Sequence, residues 1–519
     1  MMKGKQPVQM MQMHLTENVE NAHDVVYATN ITLGGKEFPI QLDTGSSDVW
    51  AQPPFPLDLT NTTDIQANLT FGIGEVTGNI AFANMTFGPY EVPNQAFLNV
   101  TQATDFDAIS SNGIFGILGL SFDIGSTVFI ETLLNFGVND TQGLTFLSNI
   151  FLQNQSAPNL FTVLLGRAYD QDGPEEGAFT ISEYVDGFEA VANEPKLFRT
   201  PAQTVNITDT PRWSVQMDSM TVNGKQFQFN KTVVAEADPG KQVVVLDTGF
   251  TFSQIPPAAV DFIYSSIDGA MFNQTSGLWQ VPCECTTNLS FEFGNMSIPI
   301  HPLDITTVAS NGNETICNNA YRAIDLPPGA VTGFDFIMGD SFLKNVYASF
   351  DYGDFTPDNR TAGVPFVQML PTTNLTLAQQ EFKTVRESQV MKNQNSLTVG
   401  SLSVGVPPNE GPFGILNKHS KRSRVVIYNT MPPMHHRVAA CMHRLTQAHG
   451  PVVVALLAGT IGLLAVMCIV GVVLATQTLV RRRRGSHAEG YEPVQLKEED
   501  IIFDESHYTT ATVAYHDSS

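Results

Sequence analysis

The sequence predicts an all-β protein of two lobes, followed by one apolar helix near the C-terminus. The tripeptide Asp-Thr-Gly occurs twice, at Asp43-Thr44-Gly45 and at Asp247-Thr248-Gly249. Each copy ends an apolar run, Phe38 to Leu42 and Val243 to Leu246, which reads as a buried strand entering a tight turn. Over the first 370 residues or so, short apolar runs are punctuated by Gly, Asn and Asp, the pattern of a sandwich or barrel. From Val452 to Ala475 the chain carries no charge, and Arg481-Arg482-Arg483-Arg484 follows. A length of 519 residues suits two lobes with appendages. The balance of 51 Asp+Glu against 27 Lys+Arg, a net charge of -24, argues against nucleic acid as a partner.

An aspartate at the end of a buried strand is costly unless its carboxyl has work to do. Glycine lets backbone approach that carboxyl, threonine can bond backbone across a symmetric partner, and turn amides can hold an anion. Two such loops face to face make a carboxyl dyad. Two carboxyls a hydrogen bond apart cannot both ionise, so one serves as base and the other as acid. A water held between them attacks a carbonyl carbon, and the proton passes to the leaving nitrogen. A lone Asp-Thr-Gly is usually an ordinary Asx turn; two copies in one context argue for the dyad.

These residues resemble the pepsin-like aspartic proteases, the standing example of a proton-sharing carboxyl pair. The resemblance spans about residues 22 to 370. Phe71-Gly72-Ile73-Gly74-Glu75-Val76-Thr77-Gly78 is similar to the family's flap hairpin. Gly116-Ile117-Leu118-Gly119-Leu120 and Phe336-Ile337-Met338-Gly339-Asp340 are similar to the loops that cross behind the two aspartates, so that Gly119 answers Asp43 and Gly339 answers Asp247. What the resemblance implies is a bilobal fold of two duplicated, barrel-like lobes with the active site between them. Asp43 and Asp247 are then the catalytic pair, and Thr44, Gly45, Ser46, Thr248 and Gly249 support them. Trp50, Phe71, Gly72, Ile73, Ile117 and Thr251 belong to the flap and substrate cleft, with Asp48 and Trp50 supporting the flap. It further implies a peptide or protein substrate, no cofactor or metal, a monomer, and a disulfide, placed at Cys283 to Cys317 with Cys285 as competitor. The chain departs from the family at two places. Phe71 replaces a tyrosine whose hydroxyl bonds the tryptophan, and Phe250 replaces a Thr or Ser that bonds the second aspartate, which predicts a more asymmetric dyad. These departures also keep open a pepsin-fold glycoprotein that binds without cleaving.

The expected order is a disordered N-terminus (1–21), an N-terminal lobe (22–200) and a C-terminal lobe (201–370). A flexible stem (371–450), a transmembrane helix (451–480) and a disordered cytosolic tail (481–519) follow. Residues 1–21 contain no apolar leader, so either an export signal and prosegment lie upstream, the favoured reading, or export depends on the later apolar segment. The connection between lobes is expected near Gln171 to Pro201, Arg212-Trp213-Ser214-Val215 opens the second lobe, and Thr221 to Lys225 reads as a hairpin turn. Fifteen Asn-X-Ser/Thr sequons all precede the apolar segment: Asn30, Asn61, Asn68, Asn84, Asn99, Asn139, Asn154, Asn206, Asn230, Asn273, Asn288, Asn295, Asn313, Asn359 and Asn374. Their one-sided placement predicts a glycosylated lumenal part. The apolar segment is long enough for a bilayer core of about 30 Å, and the four arginines after it fix a type I orientation. The lobes would then face the cell exterior or a secretory or vacuolar lumen. Lys421-Arg422 in the stem reads as part of a solvated charge run in preference to a dibasic processing site.

Overall fold

The structure, a computed structural model, describes residues 17–22, 26–72, 74–137, 142–167, 177–200, 211–311, 314–326, 333–353 and 363–402. The expected transmembrane segment, the cytosolic tail, the stem beyond 402 and Ile73 of the flap lie outside the described residues. So do the sequons at Asn139, Asn206, Asn313 and Asn359. Among the described residues no helix is long and apolar enough to cross a membrane.

Strand Val26–Leu33 turns into Lys36–Asp43 through Gly34 and Gly35, whose φ values of 54° and 69° only glycine adopts cheaply. Lys36–Asp43 pairs in parallel with Gly116–Gly119, Asp43 lying opposite Gly119, and Val49–Ala51 runs antiparallel on the far side of Gly116–Gly119. Around the second triplet the pattern recurs: Gln242–Leu246 pairs in parallel with Phe336–Met338, and Gln254–Ile255 runs antiparallel beyond it. A parallel pair between antiparallel neighbours requires each triplet strand to be crossed by a distant segment. The crossing is so close that a Cβ on Gly119 would lie 2.4 Å from the Ser47 carbonyl carbon, and one on Gly339 would lie 2.2 Å from the Phe250 oxygen. This is the physical content of the duplication read from the sequence.

The flap is the hairpin of Asn61–Thr70 and Glu75–Phe87, closed with Thr70 opposite Glu75 and with the Phe71 amide donating to the Gly74 carbonyl at 2.7 Å. In the second half, Val222 pairs with Lys225 around Asn223 and Gly224, both at positive φ, as the expected turn requires.

The halves share one sheet. Val346–Asp351 and Phe366–Pro371, from the end of the second half, join Leu160–Leu164 and Gly177–Ile181 in a thirteen-stranded sheet that continues into the first lobe. The remaining strands of the second half form sheets of five, four and four strands. The mostly β, barrel-like architecture expected of the fold is present; the duplication is closest around the triplets, and the outer sheets of the two halves differ in strand number. Phe161 stacks on Phe350 at 4.8 Å, and Trp213 meets Tyr352 edge-on at the same distance. The Trp213 Nε1 and Tyr352 hydroxyl both donate to the Leu120 carbonyl at 2.8 Å, tying the crossing loop to this shared core.

Three expected boundaries change. Glu17–Ala22 is a strand, paired with Gly177–Ile181 and Val26–Leu33, not part of a disordered terminus. Gly177–Ile181 is fully buried sheet within the stretch read as a connection. Leu375–Leu402 is a helix where a flexible stem was expected from 371. It packs Ala378, Phe382 and Val385 onto the second lobe, with Phe382 and Val385 against Leu303. The Glu381 carboxylate bonds His301 Nε2 at 2.7 Å, and Arg386 donates to the carbonyls of Leu303 and Thr306.

Candidate active site

Each triplet leaves its strand at the same place on the parallel pair, and the two loops meet. The Thr44 hydroxyl donates to the Leu246 carbonyl and the Thr248 hydroxyl to the Leu42 carbonyl, both at 2.8 Å. Each hydroxyl also accepts from the opposite threonine amide, at 3.0 and 3.1 Å. This reciprocal lattice is buried, and its four bonds fix the separation of the two loops. The glycines mark how little space remains. A Cβ on Gly45 would lie 2.1 Å from Asp247 Oδ2, and one on Gly249 would lie 2.5 Å from Asp43 Oδ1.

Asp43 and Asp247 are 5% and 6% exposed, each at the end of one of the two interlocked loops. The Gly45 amide donates to Asp43 Oδ1 at 2.8 Å and the Ser46 hydroxyl to its Oδ2 at 2.5 Å. Asp247 accepts from the Gly249 amide at 2.8 Å, and Phe250 occupies the place of Ser46 without a hydroxyl. Burial, and after it the charge of Asp43, push Asp247 well above the usual carboxylate range. Arg212 opposes this shift. Burial lowers the Arg212 guanidinium, and the two carboxyls raise it again.

The flap residues behave as an aromatic wall. Phe71, Trp50 and Phe106 form a mutual cluster with ring centroids 5.1 to 6.4 Å apart, and Ile117 is buried in the same cluster. Trp50 is 1% exposed, and its Nε1 finds no hydrogen-bond partner among the described residues. That is the consequence expected of Phe71 lacking a hydroxyl. Gly72 is exposed at the flap tip, and Thr251 is half-buried, its carbonyl accepting from the Ser341 amide at 3.2 Å. Asp48 does not support the flap. Its buried carboxylate accepts from the Ser126 hydroxyl and the amides of Thr127 and Val128, capping helix Thr127–Phe136. Cys283 is bonded to Cys317 and Cys285 is a half-buried free thiol, so the competing pairing is not used.

The structure therefore brings both triplets and Ser46 together, and gathers Trp50, Phe71 and Ile117 into one apolar cluster. Two features escaped the sequence reading: Arg212 as a cation near the carboxyls, and contact between Phe250 and the flap. Nothing local to Pro211-Arg212-Trp213 announces the first, because the acidic neighbours come from distant loops.

The sequence model of the family described as eukaryotic aspartyl protease matches residues 59–356, more than half of the chain. The chain belongs to the eukaryotic aspartyl protease family. The matched range contains Asp247; Asp43 precedes it, and its place in this pepsin-like fold rests on the pairing of the two loops. The chain is 24% identical over 357 residues to major aspartyl peptidase 1 of Cryptococcus neoformans, which covers 63% of this chain and 67% of that protein. It is 23% identical over 352 residues to a probable aspartic-type endopeptidase CTSD of Trichophyton verrucosum, with 64% and 60% covered. To the aspartic-type endopeptidase ctsD of Aspergillus fumigatus it is 24% identical over 406 residues, with 73% and 74% covered. The chain thus spans about 60 to 74% of the lengths of these aspartyl protease relatives.

Proposed function

We propose that this chain is an aspartic-type endopeptidase that hydrolyses extended polypeptides in acid. The observation that carries the reading is the meeting of two duplicated loops, locked by the Thr44 and Thr248 bonds, each with its glycine against the buried carboxyl of the other. In this reading Asp247 holds the single shared proton and Asp43, faced by two donors, is the base. Asp43 takes a proton from a water between the carboxyls as the water oxygen bonds the scissile carbonyl carbon. Asp247 gives its proton to the carbonyl oxygen. Collapse of the tetrahedral diol then breaks the C–N bond, with the proton on Asp43 passing to the amine and one hydroxyl proton of the diol returning to Asp247. The peptide lies under the flap through backbone hydrogen bonds, its side chains alternating between pockets. No cofactor or metal enters these steps, and the protein acts as a monomer.

The wider setting belongs to the same proposal. Of the eleven sequon asparagines described, nine are exposed and two half-buried, which supports a glycosylated lumenal or extracellular catalytic part. Helix Leu375–Leu402 continues the chain toward the apolar segment at 452–475, proposed as a type I membrane anchor. A pepsin-fold glycoprotein that binds peptide without cleaving it is favoured by the orphaned Trp50 Nε1 and by Phe250. Incubation with an unfolded protein at acid pH separates the two. The endopeptidase predicts fragments, blocked by a statin-type transition-state mimic and abolished by Asp247→Asn. The binding module predicts an intact partner at every pH.

A further inference from the structure

Phe250 occupies the position of Ser46 in the second loop, and its side chain does what a serine cannot. Its amide donates to the Asp247 carbonyl at 3.3 Å and its carbonyl accepts from the Asp340 amide at 2.8 Å, so its backbone belongs to the cleft floor. Its ring reaches the roof. A Cβ on Gly72, at the flap tip, would lie 2.7 Å from Phe250 Cζ and 3.5 Å from both Cε atoms. The ring therefore lies against the underside of the flap, tolerated there because Gly72 has no side chain. Its loop has no room to withdraw, since Gly339 passes so close behind that a Cβ there would lie 2.2 Å from the Phe250 oxygen. Phe250 is a half-buried post standing between the second aspartate loop and the flap.

We propose that Phe250 is a specificity-determining residue, occupying side-chain space beside the scissile bond so that the cleft favours substrates with Gly, Ala or Ser at the position facing its ring. This rests on the endopeptidase reading given above. An extended peptide points successive side chains to opposite sides, so of the two residues flanking the scissile bond one faces the second-aspartate side of the cleft. On that side the phenyl ring already fills the gap between floor and flap. A Leu or Phe there must displace the ring and break its contact with Gly72. Steric discrimination in an apolar pocket is worth about 10- to 200-fold in kcat/KM.

The test is a peptide library digested by the full-length protein and by its Phe250→Ala and Phe250→Thr variants. The wild type is expected to cleave peptides with a small residue on one side of the scissile bond about 10-fold or more faster than their Leu or Phe counterparts. Both variants are expected to bring that ratio near one, because both remove the ring. Only Phe250→Thr, which restores a hydroxyl beside Asp247, is expected to shift the pH profile as well. A wild type that accepts Leu or Phe on both sides overturns the proposal whatever the variants do, as does a ratio unchanged in active variants. No cleavage of any peptide by any of the three overturns the endopeptidase reading and this inference together, whereas cleavage with an unchanged ratio overturns the inference alone.

Discussion

The proposed chemistry turns on which of Asp43 and Asp247 keeps the proton. Asp247 is pushed up first by burial and then by Asp43, while the Ser46 hydroxyl and Gly45 amide both face Asp43. In the proposed mechanism activity needs the proton on Asp247, so the rate is expected to fall on the alkaline side as pH rises through its raised pKa. A hydroxyl donor favours the ionised form, and Phe250→Thr is expected to move that alkaline limb toward lower pH in a kcat/KM profile. Gly45→Ala tests the approach of the loops. Its new Cβ would lie 2.1 Å from Asp247 Oδ2, forcing the carboxyls apart, and kcat is expected to fall about 100-fold for a displacement of about 1 Å. Phe71→Tyr should supply the partner that buried Trp50 Nε1 lacks. A hydrogen bond worth about 1 kcal/mol, expressed in the closed flap, corresponds to a gain of roughly fivefold in kcat/KM on a peptide substrate.

At the scale of elements, legibility followed the range over which the signal acts. The triplets, flap hairpin and crossing glycines were readable because each is dictated by residues within about ten positions: an apolar run, a turn, a glycine where backbone passes close. Glu17–Ala22 was not, since its partners begin at Val26 on one side and end at Phe179 on the other, and Val19 alone is its visible apolar contribution to the core. Helix Leu375–Leu402 did carry a signal, Ala378, Phe382 and Val385 at helical spacing, but that stripe is narrow in a polar stretch. Its affinity for the lobe comes from His301, Leu303 and Thr306, some 80 positions away. The His301–Glu381 pair is buried on both sides, at 4% and 8% exposure. Leaving a buried hydrogen-bonding group without its partner costs about 1–3 kcal/mol. Glu381→Ala should therefore destabilise the second lobe by about 1–3 kcal/mol, and Glu381→Gln, which keeps a polar partner, by clearly less. Denaturant unfolding would measure both, and limited proteolysis should cut first within the helix.

For the whole molecule the buried carboxyls set how stability depends on pH. Asp48, Asp123 and Asp247 are all raised, chiefly by burial, so across the range between their unfolded and folded pKa values the native state holds more protons than the unfolded chain. Stability from these groups is present below the unfolded value of about 3.9 and is lost as pH rises through the folded values. Asp304 acts in the opposite sense. Burial alone would raise it, but Arg167 and Lys344, bonded to it at 2.7 and 2.8 Å, hold it well below the usual range. Its contribution is present above about pH 4 and lost in stronger acid. A net charge of -24 at neutrality adds self-repulsion that mild acid relieves. The thermal midpoint is thus expected to be higher near pH 5 than near pH 8, by a few degrees, and to fall again below about pH 3. The most direct measurement of the central claim is kcat/KM against pH on one extended peptide, for the wild type and for Asp43→Asn. The wild-type curve is expected to be bell-shaped and centred in acid, and the variant at least about 1000-fold slower at every pH. A wild-type rate without an acid optimum, or an Asp43→Asn protein that still cleaves at a comparable rate, would contradict it.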